Sequence, residues 1–206
     1  MEITKIERQK HDEKRYSVFI DGEFAFGMSG VDILYNHLEE GDEISADELR
    51  KLYDGVLFDR ARDKATRFLA YRARSEKEVR DKLDGEGYPD EVIDRVVELL
   101  QGYGYIDDRK FAEAFVEDKI CHAGCGKARL ARELREKGIE SEIIDEVLEN
   151  TDTDEVALAL AHLQKKTRGV REMDFAERQR YIGYLQRRGF TWDVVSEALG
   201  RFTEGE

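Results

Sequence analysis

The chain has 206 residues, 40% hydrophobic and 39% charged, with a single proline. That is too much charge for one large round core and too much apolar content for disorder; amphipathic helices reconcile the two, because each needs only one apolar stripe. The formal net charge of −13 repels nucleic acid at long range and argues against a simple DNA-binding role.

Two cysteines, no signal-like start and no apolar run near the ~18 residues of a membrane span lead us to expect a reduced, soluble, cytoplasmic protein with no membrane contact.

In chain order, Ile3 to Arg8 reads as a strand. Tyr16–Ile20 and Glu23–Phe26 read as a hairpin, because Asp21-Gly22 suits a type I′ turn in which both central residues need positive φ. Val31–Leu38 reads as a short helix. Ser45 and Glu48 offer a capping box for a helix through Tyr53. Residues 1–57 carry seven basic and fourteen acidic side chains and read as a β-hairpin cap on the first of the helical modules.

Beyond residue 57 the sequence repeats. Val79–Tyr88, Leu130–Ile139 and Tyr181–Phe190 align without a gap at an offset of 51 residues. With Gly87, Gly138 and Gly189 at the left-handed position just past a helix, Leu83, Leu134 and Leu185 fall four residues before. Tyr88, Ile139 and Phe190 fall one after. The Schellman motif puts an apolar contact between those two positions. An apolar pair comes next each time: Val92-Ile93, Ile143-Ile144 and Val194-Val195.

Ser75 and Glu78 cap the first middle helix, and Pro89 suits the start of the next. Upstream helices are expected at 59–72 (Ala61, Ala65, Phe68, Leu69), 108–121 (Phe111, Ala114, Phe115, Ile120) and 153–166 (Val156, Leu160, Leu163). Asp107 or Asp108 and then Asp152 serve as N-caps, and a longer loop spans Thr167–Asp174.

The expected fold is thus mainly α: three tandem three-helix repeats, 58–106, 107–150 and 151–206, in an elongated array behind the N-terminal hairpin segment. Stacking lets modules that are marginal alone stabilise one another.

The net charge hides a segregation. Residues 59–74 hold six basic and two acidic side chains, 119–137 six and two, 165–188 eight and three. The third helices are acidic, with Asp90, Glu91, Asp94 and Glu98 in one and Glu140, Glu142, Asp145, Glu146 and Glu149 in the next. Solvated faces with i,i+4 pairs are the plain reading. A basic patch repeated once per module also suits a repetitive partner. The candidate partner-binding residues are Arg60, Arg67, Arg72, Arg74, Lys127, Arg129, Arg132, Arg135, Arg187 and Arg188.

Other features carry little chemistry. Cys121-His122-Ala-Gly-Cys125 supplies three candidate ligands where zinc needs four, or three and a water, and His11, His37 and His162 are distant in sequence. Gly102-Tyr-Gly-Tyr105 and Gly124-Cys-Gly126-Lys127 lack the ending of a phosphate loop and read as turns. Gly126 and Lys127 offer an anion site in principle, at the start of a helix. Tyr103, Tyr105, Phe111, Phe115, Tyr181, Tyr184 and Trp192 recur at helical spacing and are read as core. No nucleophile triad stands out, so no cofactor, metal or catalytic residue is expected.

Arg74-Ser-Glu-Lys-Glu-Val79 through Gly87-Tyr88, Gly104-Tyr-Ile-Asp-Asp108 through Phe111-Ala-Glu-Ala-Phe115, and Leu134-Arg-Glu-Lys-Gly138-Ile139 resemble the RecX family. The likeness covers nearly the whole chain. It implies tandem three-helix repeats, and binding in the groove of the RecA nucleoprotein filament on single-stranded DNA. It also implies modulation, usually inhibition, of RecA's ATP hydrolysis, strand exchange and coprotease activity. DNA recombination, DNA repair and the SOS response would be its setting, acting as a monomer without enzymatic activity. Many relatives are basic and some bind DNA; at −13 this chain departs from that, so direct DNA binding is expected to be weak or absent. The alternatives are a helical-repeat scaffold for another protein and a helix-turn-helix-like DNA binder.

Overall fold

The computed structural model describes residues 1–10, 12–169 and 172–204. His11 and positions 170–171 of the expected long loop lie outside the described residues. The chain forms two compact units, Met1–Asp107 and Asp108–Glu206.

In the first unit, β1 (Ile3–Arg8), β2 (Arg15–Ile20) and β3 (Glu23–Ser29) make an antiparallel sheet in that order. The turn forms as Asp-Gly dictates, with φ of 50° at Asp21 and 87° at Gly22. Val18 pairs with Phe26 and Phe19 with Phe24, so β3 carries one extra residue at a bulge. Val18, Ile20, Phe26 and Met28 face inward.

A short helix, α1 (Gly30–Tyr35), comes next. Then α2 (Ala46–Leu52) starts at the Ser45–Glu48 capping box. Two separate helices were expected here. Instead α2 runs through a π-helical turn, Tyr53–Leu57, straight into α3 (Phe58–Tyr71). The turn's extra residue keeps Leu52 and Leu57 buried together, and that burial holds it in place.

The helices α4 (Glu76–Asp84) and α5 (Asp90–Gly102) complete the unit. Strands and helices share one core, from Ile3 and Phe26 to Leu83, Val96 and Ile106.

The second unit holds α6 (Asp108–Ala123), α7 (Lys127–Glu136) and α8 (Ser141–Glu149), then α9 (Glu155–Thr167), α10 (Phe175–Arg187) and α11 (Trp192–Glu204). Each trio has its own core, one around Leu130, Leu134 and Ile144, the other around Leu163, Leu185 and Val195. The fold is therefore the expected one: three three-helix repeats behind a small sheet.

The middle helices end as predicted. Gly87, Gly138 and Gly189 have φ of 79°, 81° and 94°. The next residue's amide, in Tyr88, Ile139 and Phe190, donates to the carbonyl of Leu83, Leu134 and Leu185 at 3.3, 3.1 and 3.3 Å. All six of these side chains are buried.

The turns also dock other elements. Gly27 N donates to Gly87 O at 2.6 Å, which pins the hairpin to α4. In the second unit Gly126 N donates to Arg188 O at 3.0 Å and Ala128 N to Gly189 O at 3.2 Å, which pins the start of α7 to the end of α10. A Cβ at Gly27 would lie 2.5 Å from Glu86 O, and one at Gly126 only 2.3 Å from Gly189 O. Glycine is required at both by close approach.

Several expectations need correction. The N-cap of α9 is Asp154, which accepts from Ala157 N at 2.9 Å, and not Asp152. In α6 the inward residues are Phe111, Ala112 and Val116, while Ala114 is exposed, because the buried face is rotated by about one residue.

Tyr103, Tyr105 and Trp192 are exposed, at 71%, 64% and 58%. The turn at Gly104 (φ 72°) hands the core position to Ile106, and Trp192 opens α11 ahead of its buried stripe of Val195, Ala198, Leu199 and Phe202. Phe111 and Tyr181 are core as expected, with Phe115 and Tyr184 half-buried.

Candidate partner-binding surface

The ten basic candidates fall into three physical classes. Three of them hold the fold together. Arg74 is mostly buried, its guanidinium 4.0 Å from the centre of the Phe68 ring and 3.8 Å from Glu78. Lys127 reaches past the end of α8, its ammonium donating to Leu148 O at 2.7 Å and Thr151 O at 3.2 Å. A lysine there satisfies carbonyls that the helix end leaves open. Arg188 does the same for α6, donating to Ala123 O at 2.8 Å while lying over the Tyr184 ring.

The anion site envisaged at Gly126 and Lys127 is taken up internally. Lys127 N donates to the Glu155 carboxylate at 2.8 Å, and the neighbouring amides serve the Gly189 turn. A sequence can show the free amides of a helix start but not the carboxylate twenty-eight residues on that fills them.

Three more are paired but accessible. Arg60 grips Asp32 with Nη2 at 2.7 Å and Nε at 3.2 Å. Asp32 is buried, which pushes its carboxyl up. Hydrogen bonds from Arg60 and Ser29 outweigh that and hold it below the ordinary 3.8. Arg72 bonds Glu78 at 2.9 Å, and Arg129 bonds Glu133 at 2.6 Å. Glu133 also takes Lys119 at 2.8 Å. Burial raises that carboxyl and the two cations more than reverse it, so it stays ionised.

The last four are exposed and lightly held. Arg132 lies 3.9 Å from Glu136, while Arg67, Arg135 and Arg187 have no ion pair among the described residues. Arg135 and Arg132 share α7, Arg187 closes α10, and Arg67 is on α3. The structure thus separates the sequence's patches into cations that face solvent and cations that brace helix ends.

Sequence reasoning missed Arg15 and Glu86. Arg15 Nη2 donates to Gly27 O at 3.0 Å and Glu86 O at 2.8 Å, and its guanidinium lies 5.0 Å from the centre of the Tyr88 ring. Glu86 gathers Lys64 at 2.7 Å, Lys82 at 2.8 Å and Arg15 at 3.8 Å. Burial raises the Glu86 carboxyl, and the lysines pull it below its ordinary 4.5. The only sequence signal was a basic residue opening β2, far from its partners.

Of the thiols, Cys121 is exposed and Cys125 sits in the second repeat's core; both are free. Among the described residues no group of three or more His, Cys, Asp or Glu is placed to hold a metal ion, and no helix is long and apolar enough to cross a membrane.

Four family models match in chain order: the regulatory protein RecX N-terminal domain at residues 1–45 and the first, second and third RecX three-helix domains at 61–100, 107–148 and 152–199. Regulatory protein RecX of Bacillus licheniformis is 36% identical over 200 residues, 96% of this chain and 76% of that protein. Its namesake in Clostridium beijerinckii is 33% identical over 201 residues, 96% of this chain and 93% of that one.

The chain belongs to the RecX family.

Solved structures agree. A crystal structure of regulatory protein RecX matches with a TM-score of 0.63 at 26% identity, over 95% of this chain and 97% of that one. RecX from Lactobacillus salivarius, at 22% identity and a TM-score of 0.64 over 71% of this chain and 96% of that one, shares the fold. Each RecX three-helix domain contains one of the glycine turns, at Gly87, Gly138 and Gly189. Arg67, Arg132, Arg135 and Arg187 all lie inside those matched stretches. The relatives' name marks them as regulators.

Proposed function

We propose that this protein binds the RecA nucleoprotein filament on single-stranded DNA and inhibits RecA, lowering its ATP hydrolysis, strand exchange and coprotease activity. Family membership along the whole chain carries this reading. The structure supports it in a second way. A repeat protein displaying exposed arginines on successive modules matches a partner whose protomers also repeat. The contact residues in this reading are Arg67, Arg132, Arg135 and Arg187. Lys127, Arg188 and Arg74 keep the modules in shape, and Arg60, Arg72 and Arg129 stand beside the contact with their charge partly used. The protein acts as a cytoplasmic monomer, with no chemistry of its own and little affinity for naked DNA.

The test is RecA's ATPase on single-stranded DNA with substoichiometric protein. Inhibition is expected, reduced by replacing Arg132 and Arg135 with Glu. An unchanged ATPase, together with tight salt-sensitive binding to bare DNA, would replace this reading with that of a DNA binder. No effect and no DNA binding would leave a scaffold for another protein.

A further inference from the structure

The helix α1 is inside out. It buries Asp32, 5% exposed, and Ile33, and turns Val31, Leu34 and Tyr35 to solvent at 73%, 77% and 82%. Those three positions, at i, i+3 and i+4, form one face. Such a stripe ordinarily packs inward, and a carboxylate ordinarily faces water. Here the carboxylate is held in by Arg60 and by the Ser29 hydroxyl, which donates to it at 2.6 Å. Among the described residues of the first unit the apolar stripe is left exposed.

The exposed face borders an apolar groove of about 580 Å³. Ile6, Tyr16, Val31, Ile33 and Leu34 line it, together with the charged residues Glu13 and Lys14. Gly30 lets the wall come close: a Cβ there would lie 2.9 Å from the Tyr16 ring. A second cleft of about 380 Å³ adjoins the first, sharing Ser29 and Val31. It is lined by Arg15, Arg60, Lys64 and Arg67 with Asp32 and Asp63, and Arg15 and Lys64 are drawn to Glu86 at 3.8 and 2.7 Å. Asp32 is matched by Arg60, and Asp63 by Arg62 at 3.2 Å. Arg67 has no ion partner among the described residues. In a chain of net charge −13, an apolar groove beside a cleft that carries an exposed arginine with no ion partner among the described residues is an unusual local surface.

We propose that this surface of the N-terminal unit is a docking site for an acidic segment of a partner protein. Large apolar side chains of the segment seat in the groove against Val31, Leu34 and Tyr35. Its carboxylates reach Arg67 and the cleft behind it.

Charge complementarity selects this occupant. A nucleic acid would bring phosphates to the cations but nothing to fill an aliphatic groove. A second copy of this chain is a poor fit too: its acidic helices show carboxylates but bury their apolar residues, as α5 does with Val92, Ile93 and Val96. The inference goes beyond the filament reading and does not depend on it.

The test uses the full chain and no filament. Random peptides displayed on phage are selected on the protein, and the selected sequences are synthesised and titrated by fluorescence anisotropy. The selected peptides are expected to combine Leu, Ile or Phe with Asp or Glu. The double variant Leu34→Ser, Tyr35→Ser should weaken them by about tenfold or more. Arg67→Glu should weaken them about as much at low salt, with the effect shrinking as salt rises.

These side chains are exposed, so the variants are expected to melt with the parent. Leu34→Gln alone serves if the double variant does not. Selected peptides that are basic, a selection that yields none, or peptides that bind the variants as tightly as the parent would each overturn the proposal. So would a concentration-dependent dimer abolished by Leu34→Gln, which would assign the face to a second copy.

Discussion

Two glycines with the same backbone twist separate conformational cost from packing cost. Gly22 has φ of +87° and Gly189 of +94°, so an L side chain is strained at either. A Cβ at Gly22 would meet nothing within 4 Å. At Gly189 it would lie 2.3 Å from the Arg129 Cβ and 2.5 Å from the Arg129 N. Gly22→Ala should therefore cost only the left-handed penalty, roughly 1–2 kcal/mol. Gly189→Ala adds a clash with a neighbouring helix and should cost about 3 kcal/mol or more. Denaturant unfolding of the full chain measures both, and equal losses would mean that the Gly189 turn does not bear on α7. The sequence showed that Gly189 ends a helix. It could not show that the same residue receives the start of another helix sixty residues upstream.

Elements were legible where their signals are local. The three glycine turns, the boxes at Ser45 and Ser75 and the Asp-Gly hairpin each depend on residues within about six positions, and each formed as read. Most of what failed depends on distance. The joining of α2 to α3 results from burying Leu52 and Leu57 in one core. The box at Asp174 and Glu177 is local and was overlooked inside a segment read as loop. For the binding surface, the basic positions were visible, but which of them are free was not. Lys127 and Arg132 look alike on one helix, and one caps α8 while the other faces solvent. They should therefore part on substitution. Lys127→Ala strips a charged donor from two carbonyls and should lower stability by about 1–3 kcal/mol. Replacing Arg132 and Arg135 with Ala should stay within roughly 0.5 kcal/mol of the parent yet weaken filament binding. Thermal melts paired with filament co-sedimentation read the two effects separately. A stability loss from the arginine pair, or none from Lys127, would reverse the assignment.

For the molecule as a whole the question is how a chain of net charge −13 would meet the proposed partner, which contains DNA. The outward faces of α5 and α8 carry Asp90, Glu91, Asp94 and Glu98, and Glu142, Asp145, Glu146 and Glu149, which repel phosphate. Of the ten candidate cations, six brace helix ends or neutralise carboxylates, and Arg67, Arg132, Arg135 and Arg187 remain. Each phosphate neutralised on a single strand contributes a slope of about −0.7 to log K against log salt, so contacts by these four give about −3. Binding to a labelled single-stranded oligonucleotide should accordingly be weak, with a slope no steeper than that. Replacing Arg132, Arg135 and Arg187 with Glu should bring the slope close to zero. Filament binding should depend on salt no more steeply than the bare strand does, since its affinity then comes from RecA rather than from phosphate. A slope on naked DNA well beyond −3 would mean that cations other than these four reach the strand, and the choice of these four as the contacts would fail.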